Sequence, residues 1–358
     1  MPRRREIDRW LLAATMIAAS FGVVMVASAS GPLAREYYRI GESEFAVRQL
    51  VAIILGAAAM VAATFVPLDR LLDKRIAFAL LAVTWVALLI ALFQPRVAGT
   101  HRWLQLPIGS LQPSALAKVV LPLALAAWLG VTTKAQAEQA LKRRLALVVV
   151  GLTVVLVLVE PDLGSAVLLF AGAMVVLLLA GLRWRAIAAT GVVAAAVVAV
   201  AIALKPYRME RVRAFFGTTG YQVQQSLIAL GGGGVLGRGP GKSVQKLFFL
   251  PQPHSDFIFS IIGEELGVFG SAAVLGLLAV IVARGFAAAQ RAALPSHALL
   301  AGGLTTVIAV QALLNVSVCL KLLPAKGLPL PLISAGGSDV MMTMVAIGLL
   351  LNVAKEGT

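Results

Sequence analysis

Long apolar blocks dominate the chain and limit what it can fold into. Each block is bounded by charged residues or by glycine and proline. A helix of about 20 apolar residues crosses the hydrocarbon core of a bilayer. The sequence therefore predicts an all-α, polytopic membrane protein with ten transmembrane helices, at 11–30, 46–66, 76–93, 114–130, 145–160, 165–181, 187–204, 257–283, 297–320 and 334–353. No soluble domain interrupts these blocks, so we expect one membrane-embedded domain over residues 1–358.

The composition excludes the water-soluble classes. Of the 358 residues, 60% are hydrophobic and 13% are charged, whereas soluble domains carry about a quarter charged residues. Nucleic-acid-binding proteins are excluded on the same ground, in spite of the net charge of +15. The single cysteine, Cys319, excludes an intramolecular disulfide and a Cys-based metal site.

The N-terminus imitates a secretory signal peptide, with a basic head followed by an apolar stretch. This stretch is longer than a signal-peptide core and many spans follow it, so we expect an uncleaved first helix. An even number of spans places both termini on one side. Lys and Arg in the short loops favour the side of the N-terminus, which predicts cytoplasmic termini in a plasma membrane.

Residues 205–256 are predicted to form a long extracytoplasmic loop between the seventh and eighth helices. The loop is basic, against the usual bias of outer segments. Its basic residues are Lys205, Arg208, Arg211, Arg213, Arg238, Lys242 and Lys246. An anionic ligand on the outer face explains this cluster, and a solvated loop or contact with anionic lipid headgroups explains it equally well.

Glycines are concentrated in the sequence GGGGVLGRGPG at 231–241. The spacing of a dinucleotide fingerprint occurs there, but no βαβ unit surrounds it. The stretch from Gly237 to Ser243 has one residue too few for a P-loop. We expect these glycines to allow tight turns and a close approach of backbone amides to a phosphate.

Lys118 lies inside an apolar block. An ammonium group in the membrane costs roughly 2.5–3.5 kcal/mol or more, so such residues usually face a cavity and a partner. Snorkelling to the outer interface is the alternative. Asp162 follows Glu160 and Pro161 and is expected to cap the next helix. A countercharge for Lys118, or a cation ligand, is the second interpretation of these acids.

Three carboxylates, Asp256, Glu264 and Glu265, lie at the edge of the apolar run that begins at Phe257 or inside it. Asp256 fits either a helix cap or a reactive group. Eight residues correspond to about 12 Å along a helix, so Asp256 and Glu264 are too far apart to act on one bond as paired glycosidase carboxylates do. We expect Glu264 and Glu265 to have polar partners within the bundle.

Several long stretches, in order, match a known family. They are GVVMVASAS at 22–30, HRWLQLPIGSLQPSALAK at 101–118, EPDLGSA at 160–166, the stretch 221–267 and LLPAKGLPLPLISAGGS at 322–338. In these residues the chain resembles the SEDS proteins, the FtsW/RodA/SpoVE group of bacterial peptidoglycan glycosyltransferases, over essentially its whole length. The compact stretch from Gly241 to Gly267 is most similar to the division-type FtsW branch.

The resemblance implies the SEDS fold and polymerisation of lipid II on the outer face of the plasma membrane. The essential aspartate of the family, in a His-x-Asp-Phe motif, matches Asp256, and we expect it to be the catalytic base. With the outer basic cluster, the candidate substrate-binding residues are Arg102, Lys118, Asp162, Arg208, Arg238, Lys242, Lys246 and His254. No cofactor is certain, and a divalent cation, Mg²⁺ or Mn²⁺, is left open.

The resemblance also implies partners. Family members work with a class B penicillin-binding protein, which is a transpeptidase, and with other membrane proteins of the division or elongation machinery. Three alternative functions stay open. They are an elongation-type, RodA-like polymerase for cell shape, a flippase for the same lipid, and a scaffold that only recruits the transpeptidase.

Some positions depart from the family pattern. They are Ala115 for the usual Glu, Ala335 for Tyr and Asp339 for Ser. Without a glutamate at position 115, Lys118 needs another countercharge, and we expect Asp162 or Asp256. Lys321 stands where small residues are common, and we expect it to pair with Asp339.

Overall fold

The computed structural model describes residues 7–95, 100–106, 109–131, 136–204, 206–217, 220–324 and 327–356. Within these ranges the helices are α1 (Arg9–Glu36), α2 (Glu44–Phe65), α3 (Leu68–Leu71), α4 (Lys74–Ala91), α5 (Pro113–Leu129), α6 (Gln136–Val159), α7 (Leu163–Leu179), α8 (Trp184–Ala203), α9 (Pro206–Phe216), α10 (Tyr221–Gly233), α11 (Ile258–Arg291), α12 (Pro295–Cys319) and α13 (Gly337–Glu356). One antiparallel hairpin, β1 (Leu104–Leu106) and β2 (Gly109–Leu111), precedes α5.

Each of the ten predicted spans corresponds to one long helix: α1, α2, α4 to α8, and α11 to α13. Among the described residues, seven of these helices are long and apolar enough to cross a membrane. Two more, α5 and α7, are apolar and have 17 residues each. The prediction of an all-α, multi-pass membrane protein is confirmed.

Helix starts follow from local sequence. Asp8 caps α1 by accepting a hydrogen bond from the backbone N–H of Leu11 at 3.1 Å. Asp73 caps α4 in the same way, with the N–H of Arg75 at 2.8 Å. A short acid placed just before the first turn satisfies backbone donors that have no partner within the helix. Pro113 starts α5, where its missing N–H costs nothing.

The core lies around α12 and α13, most of whose residues are buried, whereas no residue of α8 is buried. Helices approach closely through small residues. A Cβ on Gly22 of α1 would stand 2.8 Å from the backbone of Ile333, and one on Gly348 of α13 would stand 2.4 Å from the carbonyl oxygen of Met60. Association in lipid depends on such close packing, because lipid tails are as apolar as the side chains.

Two ion pairs show how the helices run. Arg284, near the end of α11, donates to Asp8 at 2.8 Å, and His297, at the start of α12, lies 3.0 Å from Glu356 at the end of α13. The start of α1 and the end of α13 therefore share one end of the bundle, which we call the terminal end. The opposite end, where α11 and α13 begin and α12 ends, is called the site end.

The predicted loop 205–256 is only partly a loop, since it contains α9 and α10. A kink at Gly267 (φ 67°, ψ −159°) divides α11 into 258–266 and 268–291. The second part is about 36 Å long, which is enough to cross a membrane alone. The predicted span 257–283 is therefore displaced, because a backbone kink leaves no trace in hydropathy. The hairpin was also not predicted.

Candidate functional site

Asp256 lies just before α11, at the site end, and is half-buried. Its backbone carbonyl accepts a hydrogen bond from the side-chain amide of Asn315 on α12 at 2.9 Å, and the same amide donates to the carbonyl of Leu328 at 2.7 Å. The carboxylate lies against Gly327, where a Cβ would be 2.9 Å from Oδ2. Asp256 is thus positioned by α12 and by the segment before α13.

His254 is buried two residues before Asp256 and stacks on Phe45 of α2, with 4.5 Å between the ring centroids. Its carbonyl accepts from the N–H of Ala335 at 2.9 Å, and the carbonyl of Ser255 accepts from the hydroxyl of Ser334 at 2.6 Å. Burial lowers the pKa of His254 from 6.5 to about 4, so the imidazole is neutral at pH 7. His254 was predicted to bind substrate, and its contacts here hold the segment of Asp256 instead.

Glu264 binds the loop that follows α10. Its carboxylate accepts from the hydroxyl of Ser243 at 2.5 Å and from the backbone N–H groups of Val244 and Gln245 at 3.1 and 3.2 Å. Arg238 lies 3.5 Å away and is partly exposed. Glu264 is therefore a structural residue that satisfies the polar backbone of the loop.

Glu265 binds the same loop to α1. Its carboxylate accepts from the ammonium group of Lys246 at 2.8 Å, from the hydroxyl of Ser28 at 2.7 Å and from the N–H of Gly241 at 2.9 Å. Both glutamates have polar partners, as predicted, but the partners lie mostly in the loop that follows α10, and only Ser28 belongs to a helix of the bundle.

Lys118 forms a buried ion pair with Asp339. The distance from Nζ to Oδ1 is 2.5 Å, and the side chains are 8% and 6% exposed. Gln311 of α12 bridges the pair: its Oε1 accepts from Lys118 at 3.1 Å, and its Nε2 donates to Asp339 at 2.7 Å and to the carbonyl of Pro329 at 2.9 Å. Helices α5, α12 and α13 are thus joined at one polar cluster.

Two predictions about these charges are wrong. The countercharge of Lys118 is Asp339, and not Asp162 or Asp256. Asp339 was predicted to pair with Lys321, but its carboxylate is used by Lys118 instead. Asp339 lies in the first turn of α13 and is buried there. Sequence spacing does not reveal which face of that turn meets α5.

Asp162 caps α7, as predicted, by accepting from the N–H of Ser165 at 3.0 Å. Its other oxygen accepts from the side-chain amide of Gln112 at 3.0 Å and the hydroxyl of Ser114 at 3.2 Å. The N–H of Gln112 donates to the hydroxyl of Ser338 on α13 at 3.2 Å. The starts of α5, α7 and α13 therefore meet around Asp162.

Arg102, which precedes β1, binds at the same place. Its guanidinium donates to the carbonyl of Glu160 at 3.1 Å and to the carbonyl of Pro161. The side chain is half-buried and has donors beyond these two bonds. The structure thus brings Arg102, Asp162 and Lys118 to the site end, and Gln311 and Asn315, one turn apart on α12, connect Lys118 to Asp256.

The other candidate binding residues are divided. Lys242 is exposed on the loop that follows α10, and Arg238 is partly exposed. Lys246 is buried, and its ammonium donates to Ser28, Gly241 and Glu265, which uses all three protons. Lys246 was a candidate ligand for substrate, but these contacts give it a structural role. The side chain of Arg208 lies outside the described residues.

Several residues of the site were not predicted. Gln311, Asn315 and Ser334 fix the cluster and the Asp256 segment, and Gly327 makes room for the carboxylate. The sequence contained one signal for them, since Gln311 and Asn315 are two amide side chains one turn apart in an apolar helix. Within the described part of the chain, no group of three or more His, Cys, Asp or Glu side chains could hold a metal ion.

Comparison with known proteins identifies the family. The family model described as "Cell cycle protein", which covers FtsW, RodA and SpoVE, matches residues 8–358. The chain belongs to this family.

Similar proteins of the family are named as enzymes. A protein named probable peptidoglycan glycosyltransferase FtsW, from Trichlorobacter lovleyi, is 35% identical over 98% of this chain and 94% of its own length. A protein of the same name from Thioalkalivibrio sulfidiphilus is 38% identical over 98% and 90%. The predicted resemblance to the FtsW branch is confirmed.

Solved structures of the family share the fold. A chain of a peptidoglycan synthase complex, described as coordinating polymerization and crosslinking, is 29% identical with a TM-score of 0.80 over 98% of both chains. The rod shape determining protein RodA of Thermus thermophilus is 28% identical, with a TM-score of 0.72 over 97% of this chain and 96% of its own. The predicted SEDS fold is confirmed.

Proposed function

We propose that this protein is a division-type peptidoglycan glycosyltransferase, which polymerises lipid II on the outer face of the plasma membrane. The observation that carries the proposal is the placement of Asp256: a half-buried carboxylate, positioned by α12 and facing a glycine, at the same end of the bundle as Arg102 and Lys118. The names of the similar FtsW proteins support the same reaction.

In the proposed mechanism, a sugar hydroxyl of the acceptor attacks the anomeric carbon of the donor sugar, with inversion. The hydroxyl is a weak nucleophile at neutral pH. Asp256 accepts its proton as the new glycosidic bond forms, which contributes typically about 10²–10⁴-fold. The bond from the anomeric carbon to the pyrophosphate oxygen breaks, and polyprenyl pyrophosphate leaves.

The leaving pyrophosphate gains negative charge, which preorganised cations stabilise. We assign this role to Arg102 and Lys118. Lys242 and Arg238 are exposed on the loop that follows α10 and stay candidates for binding the substrate. Lys246 is left out because its three protons are already used. No step is assigned to a divalent cation, since the described residues offer no group of ligands for one.

The test is polymerisation of lipid II by the purified protein together with its transpeptidase. Asp256→Asn is expected to lower the rate by about 10²–10⁴-fold with no loss of thermal stability. Asp69→Asn, which changes an exposed acid of α3, is the matched control and is expected to keep the wild-type rate. Wild-type polymerisation by a folded Asp256→Asn protein would show that Asp256 is not the base.

Two other outcomes would change the function. Transfer of lipid II across liposomes without polymer formation would identify a flippase. Cells that divide normally with Asp256→Asn as their only copy would indicate a scaffold. The division role is favoured because the FtsW relatives are 35–38% identical and RodA is 28% identical. A fluorescent fusion checks it, since bands at midcell indicate division and patches along the side wall indicate elongation.

We propose a class B penicillin-binding protein as the partner, alongside other membrane proteins of the division machinery. The match to a chain of a complex that couples polymerization to crosslinking supports this partner. We also propose that the terminal end faces the cytoplasm, because short basic segments at that end, such as those with Lys74, Arg75 and Arg284, follow the positive-inside rule. Cysteine labelling from either side of the membrane tests the orientation.

A further inference from the structure

The protein has two buried lysine–carboxylate pairs, Lys118 with Asp339 and Lys246 with Glu265. All four side chains are more than nine-tenths buried. Two charges lose their hydration when they are buried, and an apolar pair of similar volume often stabilises a protein as well or better. Burial alone therefore does not assign a function to either pair, and their hydrogen bonds have to be compared.

The two lysines differ in how many of their ammonium protons have an acceptor in the protein. Lys246 donates all three ammonium protons to protein acceptors, Ser28, Gly241 and Glu265. Among the contacts of the described residues, Lys118 donates only two, to Asp339 and to Gln311. The ammonium of Lys118 is therefore held in a fixed direction, and its third proton has no acceptor among the described residues.

We infer that Asp339 is a positioning residue, which keeps Lys118 in place so that its remaining N–H donates to the pyrophosphate of the donor lipid. The inference rests on the proposed function, since Lys118 contacts the pyrophosphate there. Gln311 completes the arrangement, because it accepts from Lys118 and donates to Asp339. Position 311 lies one turn from Asn315, which holds the carbonyl of Asp256, so the cation and the base share one helix as a rigid support.

The first experiment measures polymerisation by the purified complex as a function of lipid II concentration. Asp339→Asn is expected to raise KM and to lower kcat/KM by about tenfold or more, because a charge-assisted contact with the substrate is weakened. A purely structural role would only reduce the fraction of folded enzyme, which lowers kcat and leaves KM unchanged. Glu356→Gln, at the other end of α13, is the matched control and is expected to keep both constants.

A second variant moves the carboxylate from α13 to α5. It distinguishes an effect on the position of Lys118 from an effect on folding. Ala115 is buried one turn before Lys118, and side chains three residues apart on a helix are neighbours. Asp339→Ser is expected to lose activity, and Ala115→Glu combined with Asp339→Ser is expected to recover most of the wild-type KM. Lys118→Met combined with Asp339→Leu is expected to recover thermal stability and to stay inactive.

Two results would overturn the inference. One is a wild-type KM and kcat in Asp339→Asn. The other is a folded Ala115→Glu, Asp339→Ser protein that is no more active than Asp339→Ser alone. Failure of the wild-type complex to polymerise lipid II would instead refute the proposed function, so the two failures are distinguishable.

Discussion

Removal of the Glu265 carboxylate is expected to destabilise the protein strongly. The side chains of Glu265 and Lys246 are 1% and 7% exposed. Loss of one partner from a buried pair leaves an uncompensated charge, which costs about 3–5 kcal/mol. Glu265→Ala also removes the acceptor for Ser28 and for the N–H of Gly241. We expect a loss at the upper end of that range.

An exposed ion pair of the same protein serves as the comparison for this loss of stability. Glu44 and Arg48 are 41% and 68% exposed on α2, four residues apart. Such helix pairs contribute about 0.3–0.5 kcal/mol, so Glu44→Ala is expected to be nearly neutral. Thermal unfolding in detergent, followed by tryptophan fluorescence, compares the two variants under the same conditions.

A double variant tests the cause. Glu265→Leu with Lys246→Met removes both charges of this pair, so it is expected to recover most of the stability that Glu265→Ala loses. The reasoning is refuted if Glu265→Ala unfolds at the same temperature as Glu44→Ala. It is also refuted if the double variant is no more stable than the single one.

Three further predictions concern single positions. Gly327→Ala is expected to displace the carboxylate of Asp256, which lies 2.9 Å from the new Cβ, and to lower kcat by up to about 10²-fold with unchanged thermal stability. Gly237→Ala is expected to lower the unfolding temperature, since φ is 80° and its Cβ would stand 2.2 Å from the carbonyl of Glu265; a left-handed residue alone costs roughly 1–2 kcal/mol. Because burial lowers the pKa of His254 from 6.5 to about 4, the unfolded chain binds a proton more readily. The free energy of unfolding is therefore expected to fall as the pH decreases from 6.5 towards 4, by about 1.4 kcal/mol for each unit by which the pKa is lowered. Thermal unfolding at a series of pH values measures this dependence, and His254→Phe is expected to flatten it.

Hydropathy was sufficient to predict that the membrane helices exist, because each of them contains one long apolar stretch. The predicted span 114–130 and the helix α5 (Pro113–Leu129) differ by one residue at each end. The cap of α7 by Asp162 was also predictable, since a short acid after a proline has few other roles. Both features depend on residues that are close together in the chain, so the local sequence is sufficient to predict them.

The partners of buried charges were not predictable in the same way. Lys118 and Asp339 are 221 residues apart in the chain, and only the packing of α5 against α13 brings them together. The kink at Gly267 is similar: the backbone of Val235 and Gly237 lies against it there, 2.4 and 2.5 Å from where a Cβ would be. Contacts between distant segments decide these features, so the local sequence identified the charged residues but not their pairs.

The buried and half-buried charges form two groups. Glu264, Glu265 and Lys246 bind the loop that follows α10, and the protons of Lys246 all have protein acceptors. Lys118 and Asp256 belong to the other group, which the backbone and the amides of α12 hold in position. Removal of a residue from the first group is expected to lower stability, and removal from the second is expected to lower activity. Saturation of hydrogen-bond donors is therefore a physical criterion that separates structural from functional charges in this bundle, and it assigns Lys246 and Lys118 to opposite sides.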